Sequence, residues 1–272
     1  MPHVTLRKSA DRGSANHGWL DTHHTFSFAD YYDSRFNGYG SLRVLNEDVV
    51  QPSTGFGRHP HREFEIFSYI VSGELEHRDS LGHVEILKRG NVQHTTTGTG
   101  ITHSEYNVHP SLPVHFLQIW AKPNKARLAP RYVTGNFEEE RKRNAFIPMI
   151  VPIEETESSG EEAEREEGKK VVKEKEGQPI GIHANLRMYA GVLGAGSRVE
   201  LPIKSTEAGG RKYYLHTLQS TGSSVLHTSS QSFPLSPGDG AFIESVSPGE
   251  VLSLEVAPGE KGEVEAVFFE TD

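Results

Sequence analysis

Apolar and polar residues alternate in short runs, and turn residues end each run before a helical period can develop. In the first half the β-rich runs are 42–45, 63–71, 83–87, 90–95 and 114–120. Residues 63–71, EFEIFSYIV, put Phe64, Ile66, Ser68 and Ile70 on one face and Glu63, Glu65, Phe67, Tyr69 and Val71 on the other. Bulk on both faces predicts a strand inside a sandwich or barrel. The second half repeats the texture at 184–193, 212–218, 224–227, 240–244, 251–256 and 265–269, with Pro-Gly turns between. Many short strands with frequent turns predict an all-β protein rather than alternating βα units.

Two segments interrupt this pattern. Residues 137–145 carry acids first and bases later, which suits a helix dipole, and Asn136 is placed to cap them. Residues 154–178 hold ten acids, five bases and two valines. Such a stretch buries too little to offset its ordering entropy and is expected to be a mobile insertion. The organisation expected is an N-terminal domain at 1–135, a helix and charged insertion at 136–180, and a C-terminal domain at 181–272.

Composition narrows the chemistry. The chain of 272 residues contains no cysteine, which removes disulfides, thiolate metal ligands and thiol nucleophiles. Its net charge of −9 argues against direct nucleic-acid binding, and more than half of that charge lies in 154–178. No apolar run is long enough to span a bilayer, and the first residues lack a signal-peptide stretch. The expected location is cytoplasmic, or nuclear in a eukaryote. Twelve of the fifteen histidines fall within residues 1–115.

Two short stretches concentrate metal-binding side chains. His59-Pro60-His61 places two imidazoles on one face of an extended chain, because side chains alternate with period 2. His103 and Glu105 repeat that spacing after the glycine-rich Gly98-Thr99-Gly100. If the two strands face each other, three nitrogens and one oxygen meet, leaving two of six octahedral positions open. Iron(II), zinc, manganese, nickel, cobalt and copper all suit such donors.

These residues carry a family resemblance. His59, His61, Glu65 and Gly73 look like a first cupin motif, and Gly98, Gly100, His103 and Asn107 like a second. The HPH at 59–61, GTGITHSEYN at 98–107 and NHGWLDTHHTFSFADYYD at 16–33 resemble the pirin family, especially its bacterial quercetin 2,3-dioxygenases. The resemblance implies a bicupin, two β-barrels (double-stranded β-helices) face to face with a short connecting helix between them. Only the N-terminal barrel would hold a divalent metal, iron(II) first among the candidates. Its ligands would fall on His59, His61, His103 and Glu105; in most cupins the carboxylate would instead fall on Glu65. The activity implied is opening of a flavonol heterocycle by dioxygen with loss of carbon monoxide. Glu105 would take the proton of the substrate hydroxyl.

Other residues receive blander readings. His17, His23 and His24 are expected in packing and hydrogen bonding. His94 and His115 could line the metal pocket. His77, His83 and His109 sit in turn-like contexts and are expected to be exposed. The C-terminal half has no H-x-H, and His216 and His227 are isolated, so its barrel is expected to be metal-free. A redox-sensitive transcriptional co-regulator acting through a protein partner is the competing class. A cupin-type sugar-phosphate isomerase is disfavoured, because parity turns Arg58 and Arg62 away from the ligands.

Overall fold

The computed structural model describes residues 1–156, 163–166, 169–203, 210–219 and 221–272, with backbone alone at 163–166 and 169–173. Strands dominate. The first twelve are β1 (His3–Arg7), β2 (Gly13–Asn16), β3 (Leu20–His24), β4 (Leu42–Val50), β5 (Gly55–His61), β6 (Glu65–Ser72), β7 (Glu74–Asp79), β8 (Val84–Lys88), β9 (Asn91–Thr96), β10 (Ile101–Asn107), β11 (Val114–Ala121) and β12 (Arg131–Asn136). A single helical turn, α1 (Glu139–Lys142), precedes β13 (Ile147–Pro152), β14 (Ala163–Glu166), β15 (Lys169–Lys173) and β16 (Ile180–Ile182). The remainder are β17 (Leu186–Leu193), β18 (Arg198–Glu200), β19 (Lys212–Thr217), β20 (Ser224–His227), β21 (Ser232–Leu235), β22 (Gly240–Glu244), β23 (Ser253–Glu255) and β24 (Val264–Thr271).

The chain forms two compact units. One comprises residues 13–137 and 151–185. Among its described residues a nine-stranded sheet runs β14-β15-β12-β9-β6-β11-β4-β3-β2, and a four-stranded sheet runs β5-β10-β7-β8. Strand β6 lies between β9 and β11 and is buried from Glu65 to Val71, which explains its bulk on both faces. Leu20, Val50, Ile70, Leu75, Leu87, Val114 and Phe116 pack into an apolar cluster, with Trp19 edge-on to Phe56 at its margin. The turn between β6 and β7 needs Gly73: its φ is +83°, and a Cβ there would sit 2.5 Å from the carbonyl oxygen of Pro113.

The other unit comprises residues 1–12, 138–150 and 186–272. Its strands β1-β22-β19-β24-β17 pair antiparallel in that order, and β18-β23-β20-β21 form a second sheet. Leu193, Tyr213, Leu215, Leu226, Ile243, Leu254 and Phe268 belong to its core. The N-terminal strand β1 is held here by pairing with β22 and by Lys8, whose Nζ lies 2.8 Å from Asp239.

One expectation needs correction. The helix over 137–145 is only the turn Glu139–Lys142, and its N-cap is Glu138 with no side-chain cap. Asn136 instead ends β12, where it accepts from Asn91 and donates to Glu176. Pairing of Asn136 with Asn91 extends the ladder to the point where the helix was expected to begin. The expected mobility of 154–178 falls partly outside the described residues. Where the stretch is described, β14 and β15 pair antiparallel, and β15 runs parallel to β12.

Candidate metal centre

The pairing of β5, β10 and β7 builds the site. Strand β10 lies between the other two, with His103 opposite His59 on one side and opposite Asp79 on the other. Glu105 is opposite His77. A register shift between His103 and Glu105 in the β5 pairing marks a bulge beside the cluster. Gly55 permits this approach, since a Cβ there would lie 2.2 Å from the carbonyl oxygen of Glu105.

The ligand atoms of His59, His61 and His103 lie within 4.8 Å of one another. His59 and His103 bring their Nε2 atoms to 3.1 Å. Nδ1 of His59 donates to the Gly57 carbonyl at 2.7 Å, which leaves the lone pair on Nε2. Burial, then the charges of His103 and His59, lower the pKa of His61 to about 4. Burial, then His77 and His59, lower that of His103 to about 3. Both rings are therefore neutral at physiological pH, the form a metal requires. His103 is buried, whereas His59 and His61 are half-buried toward solvent. This donor set fits a divalent metal: three imidazoles converge, and those of His61 and His103 are kept neutral by their surroundings.

Glu105 is buried and reaches across to the nine-stranded sheet. Gln118 donates to its Oε2 at 2.8 Å, and Gln93 and Ser68 donate to its Oε1. Ser68 is the register partner of both glutamines, so Gln93, Ser68 and Gln118 form one polar row across β9, β6 and β11. Glu105 shares a second three-donor group with His77 and His103. Glu65 is also buried, but it accepts from His94 and Thr96 on the other face of β6 and belongs to neither donor group. The groups close enough to share an ion among the described residues both lie in the unit containing residues 13–137.

Several histidines sit where the sequence did not put them. His94 and His115 do not line the site: His94 bonds Glu65, and His115 lies 3.0 Å from Glu47. Along β11 the inward residues are Phe116, Gln118 and Trp120, and the Trp120 ring meets that of His61 edge-on at 4.9 Å. His77 and His83 are buried rather than exposed. Both face Asp79, at 3.3 and 2.7 Å, and both stack on Tyr132. Burial raises the pKa of Asp79, but these hydrogen bonds outweigh it and hold the carboxyl well below the usual range. Arg62 lines the same cavity as His61, about 540 Å³ in volume, with Pro60, Ser80, Gly100, Ile101 and Thr102. Alternation fails for Arg62 because β5 ends at His61 and the chain turns at Glu63, whose φ is +57°.

Sequence reasoning missed the glutamine–serine row and His77. The available signal was a polar residue in mid-strand on the inward parity of apolar runs: Ser68 in EIFSYIV, Gln118 in HFLQIW and Gln93 in NVQHT.

Comparison with known proteins agrees with this geometry. The chain is 48% identical over 135 residues to quercetin 2,3-dioxygenase of Escherichia coli K12, covering 50% of this chain and 58% of that protein. The chain thus matches somewhat over half the length of that relative. A putative quercetin 2,3-dioxygenase of Pseudomonas aeruginosa is 36% identical over 218 residues, covering 80% of this chain and 82% of its own. Among solved structures, YhhW from E. coli superposes with a TM-score of 0.77 at 29% identity, covering 99% of this chain and 98% of that one. The bacterial pirin YhhW in complex with nickel(II) gives 0.75 at 29% identity, covering 99% of each chain. The all-β bicupin expected from the sequence holds. The pirin family model matches residues 5–121, a span that encloses every histidine and carboxylate of the cluster. With that match, and a relative that follows it through four-fifths of its length, this chain belongs to the pirin family.

Proposed function

We propose that the protein is a metal-dependent dioxygenase that opens the heterocycle of a flavonol such as quercetin with dioxygen. The observation that carries this reading is the convergence of three imidazoles, those of His61 and His103 held neutral, beside a buried carboxylate and next to a cavity of about 540 Å³. His59, His61, His103 and Glu105 would hold one divalent metal, iron(II) first among the candidates. Such a metal supplies a Lewis acid that lowers the pKa of a hydroxyl brought to it.

The protein residues account for the rest. Glu105 accepts the hydroxyl proton of the flavonol at a carboxylate oxygen. Gln93, Gln118 and Ser68 fix that carboxylate by donating to both of its oxygens. Trp120, edge-on to His61 and packed near Phe64 and Phe28, gives the site an aromatic wall for a planar substrate. Atoms balance when one flavonol and one dioxygen give one depside and one carbon monoxide. The nickel(II) complex of bacterial pirin supports a metal in this fold, and the names of the E. coli and P. aeruginosa relatives support the flavonol. A cytoplasmic location accords with this reading, and no helix among the described residues is long and apolar enough to cross a membrane.

The test is anaerobic flavonol binding to metal-free and metal-loaded protein, with elemental analysis of each. Loaded protein is expected to shift the flavonol absorption band to longer wavelength. Equal spectra with both forms would overturn the metal's role in binding.

A further inference from the structure

The inward side chains on β5, β10 and β7 fall into two donor groups rather than one. His59, His61 and His103 form one three-donor group, and His77, His103 and Glu105 form another. They share His103. The members differ in depth: His59 and His61 are half-buried, whereas His77, His103 and Glu105 are all buried.

The second group carries an independent sign of a missing partner. His77 turns Nε2 toward Asp79, and its buried Nδ1 has no hydrogen-bond partner among the described residues. His103 turns Nε2 toward His59, and its buried Nδ1 likewise has none. The two rings stand 5.3 Å apart, beside the Glu105 carboxylate. Buried polar nitrogens are normally paired, so two orphans on neighbouring rings next to a carboxylate call for an occupant. Two imidazoles and one carboxylate are a donor set that divalent transition metals take.

We infer that His77, His103 and Glu105 form a second, inner position for a divalent metal ion, deeper in the barrel than the position at His59 and His61. Asp79 orients His77 for it, as carboxylates orient ligating imidazoles elsewhere, and the Tyr132 ring packs flat against His77. The inference rests on the reading that His103 and Glu105 serve a metal. It adds His77 to that centre and a place to which an ion can move when the outer pair is absent.

The test uses the full chain, stripped of metal and titrated with cobalt(II) well past the concentration that saturates the wild type. The double variant His59→Ala/His61→Ala is expected to retain one cobalt per chain at reduced affinity, and adding His77→Gln is expected to abolish that binding. Proton NMR of the cobalt-loaded double variant checks the same point without the third substitution: ring protons of two histidines, His77 and His103, should be hyperfine-shifted. A double variant that binds no cobalt, or whose binding survives His77→Gln, overturns the inner position. A wild type that binds no cobalt instead overturns the metal reading itself.

Discussion

Gln118 donates from Nε2 to Oε2 of Glu105 at 2.8 Å, across the space between the two sheets of the barrel. The contact ties the strand bearing His103 to the strand bearing Trp120, whose ring meets His61. One amide thus links the carboxylate of the centre to its aromatic wall. Replacing a group that orients a ligand typically costs about 10–100-fold in metal affinity. Gln118→Leu is expected to fall in that range, with circular dichroism unchanged. Wild-type affinity in that variant would mean that Glu105 is held without the amide or does not face the metal.

His61→Ala is expected to leave the protein empty at metal concentrations that just saturate the wild type, while the fold persists. Half-buried His61 lies at the mouth and adds little to the core, so its loss removes a donor rather than packing. Elemental analysis after desalting decides it, and equal metal content in variant and wild type would sink the ligand assignment.

The metal-free protein should lose stability in acid for a reason located at the site. His61 and His103 titrate near 6.5 in the unfolded chain, but at about 4 and about 3 in the folded one. Between those values the unfolded chain binds more protons, so acid favours unfolding. Their share of the acid sensitivity is absent above about pH 6.5, grows as pH falls, and levels off below the folded values. Thermal melts of metal-free protein between pH 7 and pH 4 should show a falling Tm, with a shallower slope in His61→Ala. An equal slope in both would place the acid sensitivity elsewhere.

Gly55 is where backbone packing and site geometry meet. A Cβ there would come within 2.2 Å of the Glu105 carbonyl oxygen and 2.5 Å of the Tyr106 Cα. Both atoms are backbone, so β5 and β10 would have to separate. Gly55→Ala is expected to destabilise the protein by about 1–3 kcal/mol, the range for forced overpacking. It should also weaken metal binding, because β5 carries His59 and His61. Denaturant unfolding and a metal titration check the two effects, and a loss of stability with unchanged affinity would uncouple them.

The parts of this picture readable from sequence are those governed by local periodicity. His59 and His61 share a face because a strand alternates, and His103 with Glu105 repeats the pattern. Turn chemistry marked most strand ends, and strands 224–227 and 240–244 have the bounds that the pattern predicted. What stayed hidden depends on register between distant strands. His77 looks like a turn residue until β7 pairs with β10 and sets it opposite Glu105. The choice between the two faces of β11, and so between His115 and Trp120, waits on the same pairing. Asn136 and the acids after it satisfy every local rule for a helix start, yet pairing with Asn91 takes the asparagine into a sheet. Local preference yields when a tertiary ladder offers the same backbone groups better partners.

The most direct measurement is dioxygen uptake by iron(II)-loaded protein given quercetin, with carbon monoxide and depside quantified in the same vessel. One dioxygen consumed for each carbon monoxide and each depside formed is the expected result, with no turnover above background in His103→Ala. Quercetin binding to loaded protein with no oxygen consumed and no depside formed would contradict it.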